Sequence, residues 1–393
     1  MRPHRSDPPT LSVSQTLYFE VLPRHLYIHV PFCARRCVYC DFSIAVRRVV
    51  PVDEFVSAIA RELANRKLGS TALELETVYL GGGTPSRLGG AGVARLLDVI
   101  GSHASLAPAA EVTLEANPED VTPDAAAAWV AAGVNRISLG AQSFDDRVLA
   151  WMHRTHDAAT IGRAVATARR AGIENLSIDL IFALPEHLGR SWETDLAQAL
   201  VLSPDHVSLY GLTIEPHTPL GRAHRRGDVA DAPEERYERE FLEAHDLLGA
   251  AGFTHYEVSN YGLAGRPSRH NTAYWSGASY IGVGPSAHGF DGAERRWNHT
   301  AYVDWLASVA AGEDPVQGCE RLTDENRLAE AVYLGLRTTD GVVLEEAAAA
   351  HVAPWIAAGW AAMDRAGRLV LTPSGWLRLD ALAADLTAFR SRY

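Results

Sequence analysis

Residues 29–42 read His-Val-Pro-Phe-Cys-Ala-Arg-Arg-Cys-Val-Tyr-Cys-Asp-Phe, and three of the chain's four cysteines fall inside them, at Cys33, Cys37 and Cys40. Three thiolates spaced C-x3-C-x2-C on one short loop suit three corners of a cubic iron–sulfur cluster and leave its fourth iron without a protein ligand. An open metal position is where chemistry takes place, as the contrast between catalytic and structural zinc sites illustrates. The competing reading is a zinc site with His29 as fourth ligand, but zinc loops usually set their cysteines in two separated knuckles. A disulfide framework belongs to short secreted chains, and this one is long, poor in cysteine and opens without an apolar signal segment.

Around that loop the chain has ordinary globular chemistry. Its 393 residues are 47% hydrophobic and 21% charged, enough for one large domain and a smaller one. The formal net charge of −12 argues against a nucleic-acid partner. No apolar run is long enough to span a bilayer. The expected location is cytoplasmic, where reducing conditions suit free thiolates, with any membrane association made through partners.

Strand-like and helical stretches alternate through the first half. The strands are read at Leu26–Val30, Thr77–Leu80, Glu111–Glu115, Arg136–Leu139, Asn175–Leu180 and His206–Tyr210, with a helical segment after each of the first five. Six β-then-α units predict a parallel sheet with outer helices, curled by the right-handed crossover rule into an open, partial (β/α)6 barrel. The predicted division is a flexible arm over 1–21, the partial barrel over 22–230, a barrel extension over 231–299 and a C-terminal, mostly helical, winged-helix-like domain over 300–393. In that last part helices are expected at Asp324–Leu336, Leu344–His351 and Ala353–Ala366. A closing hairpin, Arg368–Thr372 with Trp376–Asp380, is expected around a Pro-Ser-Gly turn.

Parallel barrels build their active sites at the C-terminal ends of the strands. The Cys loop follows the first strand and Gly81-Gly82-Gly83-Thr84-Pro85 the second; Glu115, Gln142, Asp179 and Tyr210 lie at or just after the next four strand ends. Each alone reads as a cap or a structural hydrogen bond, whereas their convergence on one rim points to a ligand site. Glycines without Cβ atoms let a ligand approach the backbone, and this triple glycine fits neither the Walker nor the Rossmann pattern.

With these motifs the chain resembles the radical S-adenosylmethionine (SAM) proteins. More narrowly it is similar to the group around oxygen-independent coproporphyrinogen III oxidase, from about Leu26 to the C-terminus. Tyr27–Cys33, Gly81–Pro85, Leu114–Pro118, Gly140–Phe144 and Asp179–Ile181 carry the likeness. The resemblance implies that Cys33, Cys37 and Cys40 hold a [4Fe–4S] cluster whose open iron takes the methionine end of SAM. It implies that Gly82 and Gly83 meet that methionine, and that Glu115, Gln142, Arg154 and Asp179 bond its carboxylate or ribose. Tyr27 and the backbone around Tyr210 would lie near the sulfonium and adenine. A protein electron donor to the cluster is part of the same expectation.

Within the group, the oxidase and the HemW-type haem chaperone compete. Three features favour the chaperone type. Phe42 stands where the oxidase has a further cysteine, the arm before Cys33 is shorter than the oxidase's, and His270-Asn271-Thr272-Ala273-Tyr274-Trp275 matches the chaperones' H-N-x-x-Y-W element. The resemblance then implies haem as a bound ligand, with His270 as iron ligand, Tyr274 and Trp275 flanking the macrocycle and Arg266 and Arg269 pairing with propionates. It also implies haem-acceptor proteins, membrane respiratory proteins among them, and leaves a homodimer open. Two departures stand out. Met152-His153-Arg154-Thr155-His156 replaces the group's Leu-Gly-Arg-x-His, and Ala183-Leu184-Pro185-Glu186-His187 replaces a Gly-Leu-Pro-Gly-Gln turn.

Overall fold

The computed structural model describes residues 23–66 and 73–391. The expected arm, residues 1–21, lies outside the described residues. Along the first strand, β1 (His25–Val30), buried Leu26, Ile28 and Val30 alternate with His25, Tyr27 and His29. The same period of two runs through β2 (Glu74–Gly82), β3 (Ser105–Ala116), β4 (Arg136–Gln142), β5 (Asn175–Phe182) and β6 (His206–Gly211). The apolar set, such as Val78, Leu114, Ile137, Ile178 and Val207, belongs to the main hydrophobic core. The alternate residues meet across neighbouring strands: Tyr79 donates to Glu115, Ser138 to Asp179, and Ser177 is hydrogen bonded to His206. The interior face of the sheet is therefore a polar column, and the outer face is covered by helices.

Those helices are α1 (Val52–Asn65), α2 (Gly89–Gly101), α3 (Pro123–Ala131), α4 (Ala158–Ala171), α5 (Trp192–Val201) and α6 (Glu234–Ala250). They contribute Phe55, Ile59, Leu96, Trp129, Ile161, Leu196 and Phe241 to the core. Thr122, Asp157 and Ser191 cap α3, α4 and α5 by accepting a backbone N–H, each worth about 1 kcal/mol. No described helix is long and apolar enough to cross a membrane.

The sheet has more strands than the six expected. After β7 (Thr254–Glu257) and β8 (Asn260–Gly262) comes β9 (Ile281–Val283), and the order is β9-β1-β2-β3-β4-β5-β6-β8-β7. Strand β9 pairs with β1 in parallel, Leu26 opposite Ile281, while β8 runs antiparallel to β6. The order ends at β9 and β7, so the barrel stays open. The short helix α7 (Arg269–Trp275) lies between β8 and β9.

Beyond β9, strands β10 (His288–Phe290), β11 (Glu294–Asn298) and β12 (Val316–Arg321) form an antiparallel sheet that runs across residue 299, with α8 (Tyr302–Ala310) between its last two strands. Next come α9 (Asp324–Arg337), β13 (Val342–Val343), α10 (Glu346–Ala357), β14 (Ala361–Met363), β15 (Arg368–Leu371) and α11 (Leu379–Arg390). Two expectations need correction here. The predicted helix over Ala353–Ala366 ends at Ala357, because Gly359 turns left-handed at φ 74° and β14 follows. The predicted hairpin is misplaced. Thr372 accepts from Gly375 N and Pro373 takes the first helical position, so Pro-Ser-Gly opens a helix and β15 pairs instead with β13 and β14.

The later half is fastened to the barrel edge through Glu62 of α1. Its carboxylate accepts from Gly284 N at 2.9 Å, Trp305 Nε1 at 2.9 Å, Asn298 Nδ2 at 2.7 Å and Arg66 Nη2 at 2.6 Å. Glu62 is fully buried, and the Arg66 side chain is only 9% exposed. Glu62→Ala removes the counter-charge of the buried Arg66 guanidinium and leaves the Gly284 and Trp305 N–H groups unpaired, and should destabilise the protein by about 3–5 kcal/mol in urea unfolding.

The two sequence departures have a backbone meaning. His153 sits at φ 61° and Ala183 at φ 56°, the left-handed region that glycine occupies freely. Each position carries a Cβ in a left-handed turn. His153→Gly and Ala183→Gly should each raise stability by about 1 kcal/mol in chemical denaturation. A loss at either position would mean that the side chain contributes more than the strain costs.

Candidate functional site

The Cys loop leaves β1 at Pro31 and is closed at its base by Phe32–Cys33 pairing with Ala45–Val46. It is held at mid-length from two sides. Val38 N donates to Met152 O at 3.3 Å, and Leu220 N donates to Val38 O at 2.8 Å. Cys33 is buried with its Sγ 3.3 Å from Thr84 Oγ1, while Cys37 and Cys40 are half-buried. Burial pushes the Cys33 thiol up and the Cys40 thiol up to about 11. Metal binding at these thiols therefore has to release protons. Arg154 Nη1 lies 3.6 Å from Cys37 Sγ and brings a fixed positive charge to the loop.

His29, the fourth ligand of the zinc alternative, is engaged elsewhere. Its Nε2 donates to Ser43 O at 3.0 Å, and Tyr27 Oη donates to its Nδ1 at 3.1 Å. Among the described residues no three His, Cys, Asp or Glu side chains are grouped to hold a metal ion. A cubic cluster asks for a different arrangement, since each thiolate takes a separate iron.

The triple glycine is required by close approach. A Cβ on Gly82, at φ 111°, would stand 2.6 Å from the His29 ring, and one on Gly83 would stand 2.7 Å from the Pro31 carbonyl carbon. Gly82 N donates to Glu115 Oε2 at 3.0 Å and Gly83 N to Val30 O at 2.8 Å. Glu115 also accepts from Tyr79 Oη at 2.9 Å. Burial, with Asp179 nearby, raises the Glu115 carboxyl to about 7 against the opposing effect of those hydrogen bonds. Burial likewise raises Asp179, which accepts from Ser138 and Ser177.

Register slips between Gly140 and Gln142, and Gln142 takes φ 68°, so β4 ends in an irregular turn. Arg154 is clamped by Asn117 Oδ1 at 2.6 Å and Gly140 O at 2.8 Å. The next residues are fixed by Glu119, which accepts from Thr155 and is hydrogen bonded to His156 Nδ1 at 3.1 Å. Although burial works the other way, those two contacts hold the Glu119 carboxyl down at about 2.

These strand ends enclose one cavity of about 470 Å³. Cys33, Cys37, Cys40, Gly82, Gly83, Glu115, Gln142, Arg154, Asp179 and Tyr210 all line it, and exposed Phe42 stands on its rim. Tyr27 does not line it. Its ring stacks on Tyr79, 6.1 Å between centroids, inside the polar column. His270 lies farther from it. Its Nδ1 is 2.6 Å from Thr77 Oγ1 near the start of β2, its Nε2 is 2.8 Å from Tyr274 Oη, and its ring is fully buried. Iron ligation by His270, which the resemblance implies, would require its ring to leave Thr77 or Tyr274. Arg266 and Arg269, both partly exposed, contact Asp205, and Glu76 and the Ala109 carbonyl, respectively.

Sequence reasoning passed over Thr84, Ser138 and Glu119, which line the cavity, and Tyr79, which holds Glu115. The period-two alternation of polar residues along the strands was the available signal for Tyr79 and Ser138. Nothing local marks Glu119, whose partners arrive from the loop after β4.

The Radical SAM superfamily matches residues 27–198. The heme chaperone HemW of Mycobacterium tuberculosis is 39% identical over 370 residues, covering 93% of this chain and 95% of that one. The heme chaperone HemW of Synechocystis is 38% identical over 331 residues, covering 82% and 80%. Among solved structures, coproporphyrinogen III oxidase (HemN) from Escherichia coli superposes with a TM-score of 0.77 over 93% of this chain and 91% of that one. At 22% identity that likeness speaks for the fold alone. With its strand-end cavity, its Cys loop and relatives of this similarity along most of its length, the chain belongs to the radical SAM superfamily and, within it, to the HemW group.

Proposed function

We propose that the chain binds a [4Fe–4S] cluster through Cys33, Cys37 and Cys40, SAM beside it, and haem, which it passes to acceptor proteins. The observation that carries the cofactor assignment is the single cavity in which three cysteines share a wall with the strand-end polar residues. The haem assignment is supported by the kinship with proteins named heme chaperones.

When bound, cluster and SAM supply one-electron chemistry that no side chain offers. The chain's own residues bind and orient. Arg154, held by Asn117 and Gly140, offsets the thiolate charge beside Cys37. Gly82 and Gly83 let the ligand approach the backbone. Glu115 and Asp179 accept from ligand hydroxyl or ammonium groups, Gln142 offers an amide, and Tyr210 flanks the adenine end.

Glu115 gives this reading a pH signature. Its folded-state value lies above the ordinary carboxyl range, so its contribution to stability is present in acid and lost as pH rises through about 7. Ligand donors prefer the carboxylate and act in the opposite sense. SAM binding to the cluster-loaded protein, followed by calorimetry, should tighten between pH 6 and 8, and Glu115→Gln should flatten that dependence. An unchanged slope in the variant would remove Glu115 from the SAM contacts.

The activity test is anaerobic incubation with SAM, a strong reductant and coproporphyrinogen III. Little or no protoporphyrinogen is expected, with haem binding retained in a separate titration. Protoporphyrinogen formed in step with 5′-deoxyadenosine would identify an oxidase and overturn the chaperone reading.

A further inference from the structure

One row below the cofactor cavity, three neighbouring strands place Thr113 of β3, Arg136 of β4 and Asn175 of β5 opposite one another in register. All three leave a buried polar atom without a partner: the Thr113 hydroxyl, Arg136 Nε and Asn175 Oδ1. Arg136 is the extreme case. It is 1% exposed, and among the described residues its guanidinium makes no hydrogen bond and no ion pair. A guanidinium does not shed its charge in a protein. Such a charge persists in an interior only where opposite charge offsets it. Its own row supplies none, since Thr113 and Asn175 are neutral.

The offset lies in the next row. Two residues along β4, a rise of about 7 Å and within the span of a long side chain, stands Ser138. It is opposite Glu115 on one side and Ser177 on the other, and it donates to both Asp179 oxygens at 3.0 Å. Burial raises the carboxyls of Glu115 and Asp179, and the Arg136 charge opposes that rise in both.

The other groups around this pair are neutral or already paired. Burial raises the hydroxyls of Tyr27 on β1, Tyr79 on β2, Tyr210 on β6 and Tyr274 on α7, which keeps them protonated. Burial also keeps His206 and His270 uncharged. Glu111, lower on β3, accepts from the backbone of Arg269 and His270, and Glu257 on β7 is paired with Arg337. Of the arginines lining the cavity, Arg35 donates to Arg154 O, and Arg154 is engaged by Asn117, Gly140 O and Cys37.

Resting on the SAM-binding reading above, we infer that Arg136 is a positioning residue for SAM, whose buried positive charge keeps Glu115 and Asp179 as carboxylates able to accept from the ligand's hydroxyl and ammonium donors. Arg136 is not part of the cavity lining and acts through these two side chains.

The test is calorimetric SAM binding to the cluster-loaded, full-length protein from pH 6 to pH 9. The infrared band of protonated carboxyl groups is titrated in the same proteins without SAM and assigned by its loss in Glu115→Gln. Wild-type binding should tighten as pH rises through about 7. Arg136→Met and Arg136→Gln remove the charge with an apolar and a polar side chain. In both, the rise should move up by about one pH unit, so that binding is about fivefold weaker at pH 7 and close to wild type at pH 9. The infrared band should persist to correspondingly higher pH, and Arg136→Lys should return both readouts toward wild type. Binding weakened equally at every pH, or an unshifted profile and band, would overturn the role of Arg136 and leave the SAM reading standing. Wild type that binds no SAM would overturn the SAM reading, and with it the role of Arg136 toward that ligand; the infrared titration would then show by itself whether Arg136 sets the two carboxyls.

Discussion

The Glu62 carboxylate is the contact on which the arrangement depends. It gathers the Gly284 amide, the Asn298 and Trp305 side chains and Arg66 at one buried point on α1. That point fixes the chain just after β9, and the parallel pairing of β9 with β1 follows from it. Without that anchor, three paired residues would be a weak reason for a strand so distant in sequence to join a barrel edge. With it, α7 is carried to the N-terminal end of the polar column and β10 to the side of the barrel, so the second half of the chain shares the first half's framework.

The polar column explains how two cavities can coexist without a break in the core. Tyr79 touches both regions: its hydroxyl bonds Glu115 in the strand-end cavity, and its ring stacks on His270 at 5.1 Å. His270 in turn bonds Tyr274, which lines a second cavity beneath α9 and α11. Each buried polar atom in this series finds its partner on a neighbouring strand or on α7, which is the condition under which polar groups can be enclosed without a large penalty. The histidine and tyrosine of the H-N-x-x-Y-W element are thus joined to each other, with Thr77 at the histidine's other nitrogen.

The Cys loop, the glycines and the six strand ends were legible from spacing because parallel β/α units force strand termini onto one rim, whatever the details of packing. The glycine substitutions at His153 and Ala183 were visible as departures, but their consequence was not. Only the torsion angles show that both residues accept a left-handed turn. Strand β9 was hidden because Ile281–Val283 is too short to show a period, and its pairing is decided by contacts more than two hundred residues away in sequence. The C-terminal hairpin was misplaced because Pro-Ser-Gly is compatible with a turn or a helix start, and Thr372 as a cap decides for the helix.

The sequence by itself determined the open parallel barrel, the cluster loop and which strand ends face the cofactor cavity, since these rest on local periodicity and on motif spacing. Only the tertiary structure decided where His270 stands. A histidine's sequence neighbours do not reveal whether its two nitrogens are already bonded. The folded chain does: Thr77, far off in sequence, bonds one nitrogen of His270, and Tyr274, one helical turn on, bonds the other.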